Sequence, residues 1–546
     1  MIMIKLESIF EKLHIKKIEL NKLSKSCLFP ILAVFIYLIP AIFKINLLGI
    51  QYDEILFGNA ARGVIDDSFI RFKIGNFPVL LMPYIGALKA YIYYPIFKVF
   101  GVSAHSIRVP MILLAASSLY FLYKALLHYF NWKVALGSIA ILAIDPSFIA
   151  FTRYDVGPTV IEFFLKVLSL YFFALYLDNK KNKYLLSIFL CLAAGVFNKL
   201  NFIWYVNSFF LVAAIIYWKD WKVIIAVKNR VNKYLFLASI AIAYFILAGY
   251  FFLVNSQYKL MSGLQVSIIS RIASVYYNLE NLTNGQIFYN YVFGNLSIGI
   301  ANYFWILIIV LVAIGLIINI SKFFHQSDKI NKSYWFFLLL FIIMLGQIVL
   351  TKDATAPWHI FATYPFVITL VVQAVFTLEK IFSRRNVGMV ITTLIFIVFF
   401  LYNSFLDIKY IDAYNNSPKN VYWSSAIYKL IDYTEKNPNK FVSIDWGIHN
   451  QLVTFGGKKD KFLELSYWLN DSNYSEKDAE KWFKNEFFNP SNNYAFILHT
   501  DNNTFFSLAK KRFFYLAYID GLRLKLEKEI IDNERQSIFE IYSLEK

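Results

Sequence analysis

The sequence predicts a polytopic α-helical membrane protein with about eleven spanning helices and a small C-terminal α/β domain. Hydrophobic residues make up 58% of the 546 residues and aromatic residues 19%, which is more apolar surface than a soluble protein of this length can bury. Charged residues make up only 16% and are missing from long stretches such as 31–42 and 305–318. Beyond residue 406 the chain becomes polar and rich in Asn and Lys, which indicates a soluble domain.

Apolar runs of about 17 to 22 residues define the spans, because this length crosses the hydrocarbon core of a bilayer. The predicted spans are 28–48, 108–127, 134–151, 158–177, 184–198, 202–218, 234–254, 299–320, 334–350, 359–380 and 388–406. A transmembrane domain is therefore expected over 1–406 and a soluble α/β domain over 407–546. In the soluble domain, a helix is predicted over 421–435 and strands over 441–444, 451–455, 494–498 and 537–542.

The segment 78–100 is apolar enough to span but is interrupted by Pro83, Gly86, Lys89 and Pro95. If it lies on the membrane surface, all the main basic clusters fall on the same side as the Lys-rich N-terminus; these are 179–183, 219–233, 322–332 and 380–385. We therefore predict an interfacial or re-entrant helix within a first external loop, 49–107. The N-terminus is then cytoplasmic and the C-terminal domain extracytoplasmic.

The composition excludes several classes of protein. The chain has 54 Lys and Arg against 36 Asp and Glu, but the basic residues lie in short clusters between apolar runs, where they are topology signals and not a nucleic-acid surface. Its two cysteines, Cys27 and Cys191, cannot form a thiolate metal cluster. The absence of HExxH, GxGxxG and P-loop motifs argues against soluble nucleotide-binding chemistry.

Two adjacent carboxylates, Asp53 and Glu54, follow the first span directly. An ionised pair at this depth faces water, a cation or a reacting group. The alternative is a helix cap, because acidic residues favour the first turn of a helix and 55–64 has a helical pattern. Both interpretations stand on spacing alone.

Basic residues surround this pair in the sequence: Arg62, Arg71 and Lys73 in the first external loop, and Arg108 at its end. Carboxylates beside cations at headgroup level suit a reaction on an anionic lipid, with a base to take a proton and cations to hold a phosphate. Contact of snorkelling basic side chains with lipid headgroups is the alternative.

Other charged residues lie in short turns or within spans. Arg153 and Asp155 share a tight turn, where they either pair with each other, the default expectation, or face a common cavity. Glu162 and Lys166 lie four residues apart on one helical face and are expected to be a structural pair. A later turn places Asp353 and His359 near Tyr364, while Lys199 is a weaker additional cation.

Three motifs resemble those of the GT-C superfamily, and within it glycosyltransferase family 39, which includes protein O-mannosyltransferases and the lipid A aminoarabinose transferase. The motifs are Tyr52-Asp53-Glu54; Ser106-Ile107-Arg108-Val109-Pro110 followed by the segment 145–155; and 358–366, which begins Trp358-His359 and contains Tyr364-Pro365. The resemblance covers about residues 30–400, with the motifs in the same order and on the same side of the membrane.

The resemblance implies that Asp53 is the base that activates an acceptor hydroxyl, which attacks the anomeric carbon of a polyprenyl-phosphate sugar with inversion. It implies that Glu54 orients Asp53 or the acceptor. The donor phosphate would contact Arg62, Arg71, Lys73, Arg108, Arg153 and His359, with Asp155, Asp353 and Tyr364 in support. No metal is required for a monophosphate leaving group, although Asp53 and Glu54 are able to hold a divalent ion.

The chain departs from the family pattern in the first loop. Many relatives have Lys-Pro-Pro there, whereas this chain has Gly75-Asn76-Phe77-Pro78, so Lys73 or Lys89 would have to replace the usual lysine. The expected partners are the polyprenyl-phosphate sugar, membrane lipids and an acceptor lipid, glycan or protein, with no nucleic acid. The resemblance favours the bacterial inner membrane.

Three other functions remain open on the sequence. A transporter or flippase of lipid-linked saccharides would also have many spans, but it should show interrupted helices in two symmetric halves. A GT-C ligase or polymerase would keep the external site and use a diphosphate-linked donor. A non-catalytic surface-assembly protein is disfavoured only by the Asp-Glu pair and its cationic neighbours.

Overall fold

The computed structural model describes residues 28–63, 72–82, 84–218, 267–294, 303–324, 331–351, 354–382, 386–457, 459–471 and 493–545, with 475, 481, 483 and 485–487. Within these ranges, every predicted span coincides with helical structure, and the predicted span 234–254 lies outside them. The polytopic helical fold expected from the apolar runs is therefore confirmed.

The helices of the membrane region follow one another closely along the chain. In order, they are α1 (Phe29–Ile42), α2 (Tyr52–Arg62), α3 (Leu88–Phe100), α4 (Ala104–Tyr129), α5 (Trp132–Ala143), α6 (Pro146–Tyr154), α7 (Thr159–Asn179), α8 (Asn182–Asn198), α9 (Ile203–Ile216), α10 (Ile268–Thr283), α11 (Gln286–Phe293), α12 (Tyr303–Phe324), α13 (Lys332–Leu350), α14 (Pro357–Phe361), α15 (Tyr364–Ile381) and α16 (Val387–Asn416).

Length and composition separate the spanning candidates from the rest. Among the described residues, six helices are each long and apolar enough to cross a membrane, namely α4, α7, α12, α13, α15 and α16. The pair α5 and α6 meets the same criterion as one span bent by 65°, and α1, α8 and α9 are shorter apolar helices. The short helices α2, α10, α11 and α14 lie in segments predicted to be external or next to a span.

The first external loop contains a small sheet that the sequence analysis did not predict. Strands β1 (Phe72–Ile74), β2 (Phe77–Met82) and β3 (Ile85–Gly86) form an antiparallel sheet in that order, and only then does α3 begin. The helix predicted over 78–100 is therefore wrong for its first part. The chain reverses at Gly75, which has a φ of 58°, and this turn brings β2 back along β1.

The C-terminal α/β region follows α16, which runs to Asn416, so the boundary predicted between residues 406 and 407 falls inside a helix. The region contains α17 (Ala426–Lys436), β4 (Lys440–Ser443), α18 (His449–Gly456), β5 (Phe462–Glu464), α19 (Ser466–Asn470), β6 (Tyr494–His499), α20 (Ser507–Ile519), β7 (Arg523–Ile531) and β8 (Ser537–Glu545). Its sheet has the order β5-β4-β6-β8-β7, with β4 parallel to both neighbours and the β6-β8-β7 part antiparallel.

The two faces of this sheet bury separate apolar cores. One face packs Phe441 and Ile497 against α17 and α18, and the other packs Val442 and Phe496 against α19 and α20. Covering both faces explains why β6 is mostly apolar and buried along its whole length. The helix α18 replaces the strand predicted over 451–455, because this segment is buried against α2.

Hydrogen bonds fix the C-terminal α/β region against α2. The Asn59 amide donates to Asn450 in α18 at 2.9 Å, and the backbone N–H of Gly49 donates to the carbonyl of Trp423 at 2.8 Å. A Cβ at residue 49 would lie 2.2 Å from the Ser424 carbonyl oxygen, so only glycine permits this approach. The region therefore lies directly beside the helix that carries Asp53.

Candidate functional site

The first turn of α2 presents the two adjacent carboxylates. The side-chain oxygen of Gln51 accepts hydrogen bonds from the backbone N–H groups of Asp53 at 2.6 Å and Glu54 at 3.2 Å. Glu54 in turn accepts from the backbone N–H of Gln51 at 3.2 Å, which completes a capping box. The helix-cap interpretation therefore describes Glu54, and the cap fixes the start of the helix on which Asp53 lies.

Glu54 also binds Arg108 of α4 through both carboxylate oxygens. Arg108 Nε donates to Oε1 at 2.7 Å and Nη2 to Oε2 at 2.9 Å, and both side chains are buried. The guanidinium makes three further bonds, to the carbonyls of Ile45, Leu48 and Gly49. All five donors of Arg108 are thereby used, so this arginine, expected to contact the donor phosphate, instead joins α2 to α4.

Asp53 is only partly buried and remains outside the Glu54–Arg108 pair. Burial raises the pKa of its carboxyl above the usual range, while a hydrogen bond with Gln51 and the positive charge of Lys199 partly offset this shift. A carboxylate with a raised pKa is a better proton acceptor than one in water. Of the two carboxylates, Asp53 is thus the one that Arg108 does not bind.

Lys199 is held in place by the small sheet of the first external loop. It pairs with Ile85 of β3 in an isolated bridge, and the N–H of the next residue, Leu200, donates to the Tyr84 carbonyl at 2.9 Å. A Cβ at Gly86 would lie 2.0 Å from the Phe197 carbonyl oxygen, so this glycine permits the close approach. The hairpin thereby joins the end of α8 and fixes the backbone at Lys199.

The charge of Lys199 acts on three carboxylates, those of Glu162, Asp155 and Asp53. We refer to these four residues as the carboxylate–lysine cluster. Burial lowers the pKa of the Lys199 ammonium below its usual range, although the three carboxylates counteract this effect. Glu162 Oε1 is buried with no hydrogen-bond partner among the described residues, and Lys166 donates to the Ala362 carbonyl.

Asp155 pairs with Lys89 of α3, at 2.9 Å, and this replaces the expected pairing of Arg153 with Asp155. Lys89 also donates to the carbonyls of Asp155 and Gly157, both at 2.8 Å. Lys89, considered above as a replacement for the usual first-loop lysine, is thus bound in a buried structural contact. The pair joins α3 to the turn before α7.

Two other arginines expected at the donor phosphate contact backbone carbonyls instead. Arg153 donates to Pro40 at 3.0 Å and Lys44 at 2.8 Å, at the end of α1. Arg62 donates to Thr454 of α18 at 2.6 Å. In the structure, Arg153 therefore joins α6 to α1, and Arg62 joins α2 to the C-terminal α/β region.

The remaining predicted site residues are distributed as follows. Lys73 lies exposed on β1, and Arg71 and Asp353 lie outside the described residues. His359 packs edge-on against Trp204, and burial, aided by the charge of Lys199, lowers its pKa to about 3, so the ring is neutral at pH 7. Tyr364 is buried and donates to Asp145 at 2.5 Å.

The Asp53 and Glu54 pair does not fit a shared metal site, because both oxygens of Glu54 are bound by Arg108. Among the described residues, no group of three or more His, Cys, Asp or Glu side chains is arranged to hold an ion.

Two parts of the site were not foreseen in the sequence. Lys199 was expected to be a minor cation and Glu162 a structural residue, and only the intramembrane position of Glu162 signalled a special role. The C-terminal α/β region also contributes side chains beside Asp53: the ring of Trp446 lies 4.6 Å from that of Tyr52. No motif in the sequence indicates this contact.

Comparisons with known proteins identify similar folds and one matching family model. Residues 86–250 match the family described as dolichyl-phosphate-mannose-protein mannosyltransferase. The structure is similar to ArnT from Cupriavidus metallidurans bound to undecaprenyl phosphate, with a TM-score of 0.53, 9% identity, and coverage of 94% of this chain and 97% of that chain. It is also similar to the apo oligosaccharyltransferase from Archaeoglobus fulgidus, with a TM-score of 0.50, 11% identity, and coverage of 87% and 69%. No curated protein sequence matches the chain.

Proposed function

The chain has the GT-C fold of membrane glycosyltransferases, and from this premise we propose that it transfers a sugar from a polyprenyl-phosphate carrier to an acceptor hydroxyl, with Asp53 as the base. The observation that carries the proposal is that the two adjacent carboxylates of α2 have different surroundings. Glu54 is bound by Arg108 and the cap, whereas Asp53 remains beside Lys199 with a raised pKa.

The donor class is supported by the proteins that this chain resembles. The family matched by residues 86–250 is described by its use of a dolichyl-phosphate sugar, and the similar ArnT structure holds undecaprenyl phosphate. Both carriers are polyprenyl monophosphates.

The reaction is a single displacement at the anomeric carbon. Asp53 takes the proton of the acceptor hydroxyl as its oxygen bonds to the anomeric carbon, and the bond from that carbon to the phosphate oxygen breaks. The electron pair leaves with the phosphate, so the products are the glycosylated acceptor and polyprenyl phosphate, and the configuration is inverted. Asp53 then returns its proton to water.

Charge on the departing phosphate needs a cation. Lys199 fits this role, because its ammonium acts electrostatically on Asp53. Arg62, Arg108 and Arg153 are bound elsewhere, and Lys73 on the exposed β1 provides a second positive charge on the external loop. We therefore assign Lys199 to the phosphate.

We propose that the site lies on the outer face of a bacterial inner membrane. In the sequence, the basic clusters 179–183 and 380–385 each follow a predicted span, and such clusters favour the cytoplasm. Asp53, the small sheet and the C-terminal α/β region are then extracytoplasmic.

The proposal is tested with the purified full chain in lipid vesicles and a panel of radiolabelled donors. Polyprenyl-monophosphate and polyprenyl-diphosphate sugars are offered separately, with a membrane extract as the source of acceptor. Transfer from monophosphate donors alone supports the proposal. Transfer from diphosphate donors alone would assign the chain to the ligase or polymerase class, and movement of intact lipid-linked sugar without cleavage would make it a flippase.

A further inference from the structure

An aromatic surface lies next to Asp53, where α2 meets the C-terminal α/β region. Its members are Tyr52 of α2 and four aromatic residues of the C-terminal α/β region, joined by ring contacts or, for Tyr467, by a hydrogen bond from Trp446: Tyr52, Tyr422, Trp446, Tyr467 and Phe505. Ring centroids are 4.6 Å apart for Tyr52 and Trp446, 4.9 Å for Trp446 and Phe505, and 5.3 Å for Tyr422 and Trp446. We call this group the aromatic platform.

The platform is open on the side formed by the C-terminal α/β region. The side chain of Phe505 is 51% exposed and that of Tyr467 is 44% exposed, Trp446 and Tyr422 are partly buried, and Tyr52 is buried behind them. Large aromatic side chains placed together at a surface lose the benefit of burial, and such patches usually mark a binding site. The platform is therefore a candidate surface for a ligand of the site.

The platform is rigid without a ligand. The buried carboxylate of Asp445 accepts hydrogen bonds from the backbone N–H groups of Trp446 at 2.9 Å, Phe505 at 2.9 Å and Phe506 at 2.7 Å. Trp446 Nε1 donates to the Tyr467 hydroxyl at 2.9 Å, which sets the angle of the indole. Fixed rings bind a ligand with little loss of side-chain entropy.

Carboxylates border the aromatic platform. Tyr52 directly precedes Asp53, and the charges of Glu464 and Asp53 act on the hydroxyls of Tyr52 and Tyr467. A ligand on the platform thus meets flat apolar rings on one side and negative carboxylates at the edge. These carboxylates would repel an anionic ligand, and a purely aliphatic chain would offer them no hydrogen-bond donor.

We propose that the aromatic platform binds the acceptor and that the acceptor is a neutral saccharide. This inference rests on the function proposed above. A pyranose ring has an apolar face of C–H groups, which packs on aromatic rings, and an edge of hydroxyl groups, which donate to carboxylates. The platform and its border match both features, and a sugar stacked there directs a hydroxyl to Asp53.

The first test measures binding with no donor present, so that it does not depend on catalysis. The full chain in lipid nanodiscs is titrated with neutral methyl glycosides and disaccharides of glucose, mannose, galactose and N-acetylglucosamine, and saturation-transfer-difference NMR detects contact. Phe505→Ala removes an exposed ring. Tyr518→Ala is the matched control, because Tyr518 is an 80% exposed aromatic residue of the same region that is not part of the platform.

We expect a saccharide to bind to the wild type and to Tyr518→Ala, with affinity reduced roughly 3- to 10-fold in Phe505→Ala, the effect of one lost aromatic contact. The signal should come from the C–H protons of one face of the sugar. No binding of any probe up to about 10 mM, or equal binding by the two variants, would overturn the inference. Displacement of the sugar by a neutral peptide with higher affinity would also overturn it.

The second test uses turnover. With a donor that the protein cleaves and the bound saccharide as acceptor, Phe505→Ala should raise the KM for the acceptor, whereas Tyr518→Ala should leave both this KM and the hydrolysis of the donor by water unchanged. Loss of donor hydrolysis in the wild type would count against the proposed function, while the binding titration still decides whether the platform takes a sugar. An unchanged acceptor KM in Phe505→Ala would contradict the inference.

Discussion

The guanidinium of Arg108 is bound by both carboxylate oxygens of Glu54, at 2.7 and 2.9 Å, in the buried space between α2 and α4. The second carboxylate of the Asp-Glu motif is therefore a structural anchor. Because it holds the first turn of α2 against a spanning helix, it fixes the position of Asp53. The chemistry proposed for the motif thus belongs to Asp53.

The Glu54–Arg108 pair predicts a loss of stability that is separate from chemistry. Glu54→Ala leaves the charge of Arg108 buried and uncompensated, which should cost about 3–5 kcal/mol of unfolding free energy. The double variant Glu54→Ala with Arg108→Met removes both charges and should be more stable than Glu54→Ala alone. Thermal unfolding in detergent, followed by tryptophan fluorescence, measures both. A Glu54→Ala protein with unchanged Tm and no activity would instead place Glu54 in the reaction.

The electrostatic interaction between Lys199 and Asp53 leads to a prediction for the pH dependence of transfer. The reaction needs Asp53 to be deprotonated, so the rate should rise as the pH passes through the raised pKa of Asp53. The positive charge of Lys199 lowers this pKa and so partly offsets the effect of burial. Lys199→Ala should therefore move the acid limb of the pH profile to higher pH and lower the rate at pH 7 about 100-fold, through loss of the cation at the phosphate. Lys199→Arg should keep the limb near its original position. An acid limb that does not move in Lys199→Ala contradicts this account of the cluster.

Asp445 predicts an acid-sensitive contribution to the stability of the C-terminal α/β region. Burial raises the pKa of the Asp445 carboxyl, but a hydrogen bond with His499 at 2.8 Å, together with those from the N–H groups of Phe505 and Phe506, outweighs burial and holds this pKa below its usual range. Its contribution is thus complete above pH about 4, the unfolded value, and is lost as pH falls through the lower folded value.

Asp445→Asn should therefore lower the unfolding free energy by about 1.5–3 kcal/mol at pH 7, and by less as the pH falls below about 4. Asp432→Asn, an exposed carboxylate on α17, is the control and should change little. Tm values measured across pH test this. A difference between wild type and Asp445→Asn that grows as the pH falls below about 4 would show that the ionised Asp445 carboxylate is not the source of this stability.

Membrane orientation is testable with single cysteines. In a chain whose Cys27 and Cys191 are replaced by Ser, Lys181→Cys lies in the predicted cytoplasmic turn between α7 and α8, and Tyr518→Cys lies in the C-terminal α/β region. A membrane-impermeant maleimide should label Tyr518→Cys in intact spheroplasts and Lys181→Cys only in inside-out vesicles. The reverse pattern would place the site on the cytoplasmic face.

The sequence predicted those features that depend on local pattern. Apolar runs located the described helices, and the resemblance to GT-C glycosyltransferases, drawn from short motifs around Asp53, Arg108 and His359, is confirmed by the fold. Prediction of secondary structure from the sequence was wrong where tertiary contacts override the local preference of a segment. The segment 451–455 has strand-like composition but forms a helix because it packs on α2, and 77–82 forms a strand because β1 offers it a partner.

Charge partners were the least predictable part of the site. The tight turn suggested that Arg153 would pair with Asp155, yet Lys89, which is 66 residues away in the chain, lies closer to Asp155 in space. Arg108 and Arg153 were both predicted to contact the phosphate. Their actual partners include backbone carbonyls, and the sequence does not show which carbonyls come close to a guanidinium. Lys199 gained its importance from the bridge to Ile85, a contact that no local pattern signals.

The central claim, that Asp53 is the base of a lipid-phosphate-dependent glycosyltransferase, is tested most directly by the initial rate of sugar transfer from a polyprenyl-monophosphate donor by Asp53→Asn. Asp412→Asn, an exposed carboxylate on α16, is the control, and equal Tm values establish that all three proteins are folded. We predict a fall in kcat of about 100-fold or more for Asp53→Asn and none for the control. A folded Asp53→Asn protein that transfers sugar at the wild-type rate would contradict the account.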